Sequence, residues 1–196
     1  MTPAGIILAA GASVRMGRPK ALLTLGGVTF LERAIRLLAP FCDPLILVLG
    51  YHRDQIEFTL TNRPGIRIAV NPNPARGMLT SLQCGLAAAP ITDSGAIFTV
   101  VDCPAVRPET ARAVLDAFLL RRVAVAVPVY QGKRGHPVCI SAEVARDLLA
   151  APENESARDI IARHRTPESL VEVDDPGAVT DADTPQDLST LEALAP

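Results

Sequence analysis

Short, continuously apolar runs alternate along this chain with stretches of helical period, and few folds satisfy that order. The runs at residues 5–9, 45–49, 66–70, 96–101 and 123–129 show no sustained polar–apolar alternation, Arg67 being the one charge among them, as expected of strands covered on both faces. Two shorter strands are expected at 137–140 and 169–173. Between the runs, Leu31, Ala34, Ile35 and Leu38 recur at helical spacing, as do Leu79, Leu82 and Leu86, and again Ala111, Val114, Leu115 and Phe118. Each set makes one apolar helix face. This alternation specifies an α/β fold: a mostly parallel sheet sandwiched between two helical layers. With 196 residues, 48% of them apolar, the chain can build one ample domain and not two. Residues 1–196 are therefore expected to be a single domain, with 152–154 as a surface loop. A last helix is expected from Thr184-Pro185-Gln186-Asp187, with Thr184 as cap, Pro185 in the first turn and Asp187 closing a capping-box-like turn.

Charge and cysteine usage exclude several functions. A net charge of -2 gives no global basic field for nucleic acid. The apolar run at 6–10 is too short for a signal peptide or a membrane span. The cysteines, at 42, 84, 103 and 139, have neither CxxC nor zinc-knuckle spacing. They are expected to be small buried hydrophobes in a reducing compartment, so the protein is expected to be soluble and cytoplasmic.

The first strand runs directly into Leu8-Ala9-Ala10-Gly11-Ala12-Ser13-Val14-Arg15-Met16-Gly17-Arg18-Pro19-Lys20. A glycine-bearing loop at the carboxyl edge of a buried strand is the usual ligand position in open α/β sheets. The amides of Gly11, Ser13 and Gly17 could form an anion-binding nest, and Arg15, Arg18 and Lys20 bring three cations to it. The spacing fits neither a Walker loop nor a dinucleotide GxGxxG, because five residues separate Gly11 from Gly17 and Ala21 follows Lys20. Further along, Asp102 ends a central apolar strand, where a lone charge needs a partner or a metal. A carboxylate there suits Mg²⁺, a hard cation, although Asp102 could instead cap the next helix.

Three other segments belong with these. Residues 70–82, VNPNPARGMLTSL, form a βα connection in which Gly77 allows close backbone approach and Ser81 offers a hydroxyl in the first helical turn. Residues 132–137, GKRGHP, make a flexible cationic turn, and no second histidine lies at metal-ligand spacing from His136. Residues 180–188, TDADTPQDL, place Asp181 and Asp183 just before the last helix, where either a metal or a capping role would fit.

Taken together, these segments resemble the NTP-transferase family that holds the molybdenum cofactor cytidylyl- and guanylyltransferases. The family opens with LAAG-x-S-x-R-M-G-x-x-K, which residues 8–20 match without a gap, and the likeness extends over nearly the whole chain. It implies a Rossmann-like sandwich of the nucleotide-diphospho-sugar transferase type and an Mg²⁺-dependent nucleotidyl transfer. By this resemblance Leu8, Ala9, Ala10, Gly11, Ala12, Ser13 and Gly17 bind nucleotide, with Asn71, Gly77 and Ser81 on base and ribose. The amides of Ala12 and Ser13 with Arg15 hold the β- and γ-phosphates, and Lys20 neutralises the α-phosphate. Asp102 matches the family's metal-binding D-x-P aspartate, and Asp181 or Asp183, with a slight preference for Asp181, supplies a second ligand. Gly135 and His136 match a G-H-P placed towards the acceptor, although a structural histidine fits as well. His52 and His164 are read as ordinary surface or structural histidines.

Nucleotidyl transfer is an in-line attack at the α-phosphorus, so positioning and charge stabilisation suffice and no Ser/His/Asp set is required. Ala10 stands where guanylyl members carry a second glycine. Its Cβ narrows the base pocket and favours CTP over GTP. The resemblance thus implies CMP transfer to the phosphate of a pterin-type cofactor, with no nucleic-acid or membrane partner and a transient contact with a molybdoenzyme or its chaperone. Guanylyl transfer to the same cofactor, cytidylyl transfer to another small phosphorylated acceptor, and a non-catalytic accessory protein that binds nucleotide or cofactor remain as alternatives.

Overall fold

The computed structural model of the chain describes residues 2–60, 65–152 and 154–194; Glu153, within the expected 152–154 loop, lies outside them. Strand β1 (Ala4–Ala9) is buried throughout, and a hairpin of β2 (Thr24–Leu25) and β3 (Val28–Thr29) follows it. Gly26 and Gly27 turn that hairpin with φ of 58° and 77°, the positive values that a tight two-residue turn needs. The chain continues through α1 (Phe30–Leu38), β4 (Leu45–Leu49), α2 (Arg53–Phe58), β5 (Ile66–Val70), α3 (Met78–Ala88), β6 (Ala96–Val100) and α4 (Pro108–Arg121). Then come β7 (Val125–Tyr130), β8 (Lys133–Arg134), β9 (Val138–Ile140), α5 (Ala142–Ala150), α6 (Ala157–Arg163), β10 (Leu170–Glu172) and α7 (Asp187–Leu194).

The main sheet has eight strands in the order β10-β7-β9-β6-β1-β4-β5, with β8 paired to β7. The pairs β1–β4, β1–β6, β4–β5 and β7–β10 are parallel, whereas β9 runs antiparallel between β6 and β7. Alternate residues of each central strand feed opposite layers. Ile7, Leu47 and Ile97 pack with Phe30 and Leu38 of α1, Val114 of α4 and Leu191 of α7. Ile6, Val48 and Phe98 pack with Leu82 and Leu86 of α3, Val144 and Leu148 of α5, and Ile160 of α6. The three helical faces foreseen in the sequence all reach these cores.

Local chemistry sets the helix starts. Thr29, Ser141 and Ser156 accept from the amides of Glu32, Val144 and Asp159 at 3.1, 3.3 and 3.1 Å, capping α1, α5 and α6. Gly85 lets α3 lie on the sheet, because a Cβ there would fall within 3 Å of Ile6 and Val48. The last helix begins at Asp187 rather than Thr184, and Asp187 closes the expected capping-box-like turn from its side, without a bond from its own amide to the Thr184 hydroxyl. The Asp187 carboxylate accepts from the amides of Asp183 and Thr184 and from the Thr184 hydroxyl. Strand β5 is also not covered on both faces, because it lies at the sheet edge with Arg67, Ile68 and Val70 exposed. All four cysteines are free; Cys103 and Cys139 are buried, but Cys42 and Cys84 only half so. No described helix is long and apolar enough to cross a membrane.

Asp175, which is 2% exposed, ties the segment before α7 to the start of α4. Its carboxylate accepts from the Arg107 amide at 2.9 Å, the Thr110 hydroxyl at 2.6 Å and the Gly177 amide at 3.0 Å. Removing it strands three donors. Asp175→Ala is expected to lower stability by about 2–3 kcal/mol, read as a lower urea midpoint at unchanged m-value; an unchanged midpoint would show those donors rehydrated without cost.

Candidate active site

From β1 the chain moves outward through β4 to β5, then returns to the other side of β1 as β6. Loops leaving two such strands diverge at their carboxyl ends and open a crevice. A cleft of about 450 Å³ lies there, lined by Leu8, Ala9, Ala10, Gly11, Ala12 and Ser13 from the first loop and by Val101 and Asp102 after β6.

The first loop is held by its own backbone and one hydroxyl. Ser13 adopts φ 53° and Gly17 φ 68°, bracketing a short 3-10 turn over Val14–Met16. The Met16 amide donates to the Ser13 carbonyl at 3.1 Å, and the Lys20 amide donates to the Ser13 hydroxyl at 3.0 Å. Gly17 shapes this turn but does not line the cleft. A Cβ built on Gly11 would meet nothing within 4 Å, so the absent side chain there opens space. His52, read from sequence as ordinary, lines the cleft and pairs its Nε2 with the Ala12 carbonyl at 3.0 Å. A carbonyl only accepts, so Nε2 carries the proton. Nothing near His52 in the sequence announces this contact, since its partner is 40 residues away.

Asp102 meets the last loop through its backbone. Its carbonyl accepts from the Ala182 amide at 2.8 Å, and Ala182 is fully buried. With that residue sealed inside, the flanking Asp181 and Asp183 are carried to the carboxyl end of β6, where Asp183 lines the cleft, Asp181 does not, and the two take different neighbours. Asp183 accepts from Lys20 Nζ at 2.7 Å and from Arg15 at 2.9 Å, while Lys20 also donates to Asp102 at 3.1 Å. Asp181 instead accepts from the Cys103 thiol at 3.0 Å. Ligating atoms of Asp102, Cys103 and Asp181 all lie within 4.8 Å of one another.

The electrostatics follow from these contacts. Burial opposes the charge on Lys20, but Asp102 and Asp183 outweigh it and hold the ammonium above its ordinary pKa. The hydrogen bond from Lys20 keeps Asp183 below the usual carboxylate range, with Arg15 adding to the effect. Burial pushes the Cys103 thiol well up, and the neighbouring Asp181 and Asp102 push it further. It therefore remains a thiol, leaving two carboxylates as the hard donors of the cluster.

The second segment divides its work. Asn71 is 3% exposed and lies behind the cleft, where its amide donates to Thr80 Oγ1 at 3.0 Å and Ser81 Oγ at 2.9 Å. Its Oδ1 accepts from the Asn73 amide at 2.8 Å. Asn71 thus orients Ser81, which lines the cleft together with Gly77, Pro74 and Met78. Gly77 has φ 99°, a value closed to most side chains, at the turn into α3.

Gly135 and His136 line a neighbouring cavity of about 540 Å³ instead, and Met78 lines both spaces. The His136 ring meets Phe98 edge-on at 5.7 Å, and its amide donates to the Ala178 carbonyl at 2.9 Å. Gly135 runs so close to that carbonyl that a Cβ would collide with it. Burial lowers the imidazole pKa against the pull of Asp102 and Asp181, and Nδ1 is buried without a hydrogen-bond partner. His164 pairs with Asp147 at 2.8 Å and lines neither cavity.

The chain resembles known proteins over most of its length. A domain described as a MobA-like NTP transferase domain matches residues 5–168. The chain is 31% identical to the molybdenum cofactor cytidylyltransferase of Escherichia coli K12 over 187 residues, covering 94% of this chain and 93% of the relative. It is 30% identical to the nicotine blue oxidoreductase of Paenarthrobacter nicotinovorans, with 97% and 93% covered. It is 31% identical to a molybdenum cofactor guanylyltransferase of Sinorhizobium fredii, with 95% and 89% covered. Among solved structures, Rv0371c of Mycobacterium tuberculosis superposes with a TM-score of 0.81 at 28% identity, covering 98% of both chains. A manganese complex of Rv0371c gives 0.79 at 25% identity, covering 98% of this chain and 99% of that one. The match spans most of the sequence and all of its central strands, and the chain belongs to the MobA-like NTP transferase family.

Proposed function

We propose that this protein transfers CMP from CTP to the phosphate of molybdopterin or its molybdenum-bearing form. An acceptor phosphate oxygen attacks the α-phosphorus, the α–β P–O bond breaks, and pyrophosphate leaves with the electron pair. One observation carries the reading: Asp102 lines the cleft beside Lys20 and the 8–13 loop, and a carboxylate oxygen of Asp181 lies within 4.8 Å of its own. An oxidoreductase relative of nearly equal identity means that overall likeness alone does not select the chemistry. Converging carboxylates beside a cation-bearing loop are what phosphoryl chemistry needs.

In this reading Asp102 and Asp181 would hold Mg²⁺. Two carboxylates suit a hard divalent ion, and the manganese complex of Rv0371c is in keeping with that. The ion would offset negative charge on the phosphate oxygens as the bond order changes. Arg15 and the amides of Ala12 and Ser13 bind the β- and γ-phosphates, and Lys20 faces the α-phosphate. Ser81, braced by Asn71, contacts the nucleoside, with Gly77 allowing close approach. His136 and Gly135 shape the acceptor side. Four free thiols fit a reducing compartment such as the cytoplasm, from which product would pass to a molybdoenzyme or its chaperone.

Pyrophosphate release with Mg²⁺ is expected only when CTP and the pterin cofactor are both present. Release with GTP in place of CTP would keep the mechanism and overturn the base assignment; nucleotide binding without any release would favour an accessory protein. Asp102→Ala is expected to keep the fold and cut kcat by about 100-fold or more; an active variant with unchanged metal dependence would remove Asp102 from the mechanism. Ala10→Gly is expected to lower the CTP/GTP ratio of kcat/KM by about 10-fold, because the lost methyl widens the base pocket. An unmoved ratio would show that Ala10 does not select the base.

A further inference from the structure

Two unlike sets of side chains line the cavity beyond Met78. Phe98, Val127, Val138 and Ile161 are apolar. Arg134 from β8, Arg158 from α6 and Arg165 just after it are cationic. Arg134 and Arg158 are exposed and Arg165 half-buried. None has a carboxylate partner among the described residues, whereas their neighbour Arg163 is paired to Glu155. Nearby acidic side chains are committed elsewhere: Asp159 to Ser156 and Asp147 to His164. The three cations feel one another: burial first, then Arg134 and Arg158, depress the Arg165 guanidinium. Uncompensated like charges around a concave wall lose that repulsion only when an anion enters.

We propose that this cavity binds a ligand with an apolar or aromatic body whose anionic group is gripped by Arg134, Arg158 and Arg165. On the transferase reading, that ligand is the acceptor. The three arginines do not line the nucleotide cleft, and Met78 lines both spaces. The group they grip is therefore not the phosphate that attacks. The acceptor carries two anionic groups: its phosphate reaches past Met78 to Lys20 and Asp102, its ring lies on the apolar side chains near His136, and a second anionic group is clamped by guanidinium forks. An acceptor with a phosphate alone would lack that second anchor.

The test reads the site first and the reaction second. Nitrogen-15-labelled protein is titrated with inorganic phosphate while the Nε–H signals of Arg134, Arg158 and Arg165 are followed by NMR. The three are expected to shift together and saturate at one midpoint. In the double variant Arg158→Gln/Arg165→Gln, the midpoint at Arg134 should rise at least about 10-fold, a threshold set by losing two charged hydrogen-bonding partners, with the Arg15 signal titrating as before. Signals that stay still, or drift without saturating like those of exposed Arg67 and Arg122, would overturn the site. In turnover, the same double variant should raise the KM for molybdopterin at least about 10-fold and leave the KM for CTP alone. An unchanged acceptor KM would overturn the placement of the acceptor there. Saturable phosphate binding at the triad in a wild-type protein that transfers nothing to molybdopterin would uphold the site and sink the proposed acceptor.

Discussion

The chemistry of this molecule hangs on one backbone hydrogen bond, from the Ala182 amide to the Asp102 carbonyl. It joins the end of a central strand to a segment 80 positions later in the chain. Burying Ala182 anchors that segment in the core, and geometry then carries the residues on either side back towards the strand end. Without it, Asp102 would keep only Lys20 beside it, and Lys20 would have lost its 2.7 Å partner. The buried Asp175 and the short 3-10 helix Pro176–Val179 support the approach of this segment, and the 2.9 Å bond from His136 to Ala178 fixes its other flank.

Much of this was readable in the sequence, for identifiable reasons. Strands covered on both faces must be apolar at every position, so β1, β4 and β6 were visible without any alternation. Asp102 was visible because a charge at the end of such a strand has no packing explanation. The same reasoning misjudged β5, whose apolar letters suggested a central strand although it lies at the edge with Ile68 and Val70 exposed. The β2–β3 hairpin and β8 are two residues per strand, too short for any period to register.

What stayed hidden depended on distance along the chain. Asp181 and Asp183 could not be told apart in sequence, since both are acidic residues before a helix. In the fold one faces a thiol and a carboxylate while the other faces two cations. Asn71 looked like a ligand contact and proves to be a brace behind Ser81. Arg158 and Arg165 drew no notice in the sequence, because nothing local marks the Arg134 guanidinium that lines the same cavity.

The ion pairs of Asp183 bear on how the cleft responds to anions. This carboxylate already satisfies Lys20 and Arg15, so an incoming phosphate would displace an internal rival and gain only the difference between its own attraction and that of Asp183. A singly charged oxyanion, equal in charge to the carboxylate, gains almost nothing by the exchange, whereas a densely charged chain of phosphates gains much. On the proposed reading the residue would work as a built-in competitor: it would filter ligands by charge and reclaim both cations when the polyanion departs, sparing the protein a pair of repelling charges between encounters.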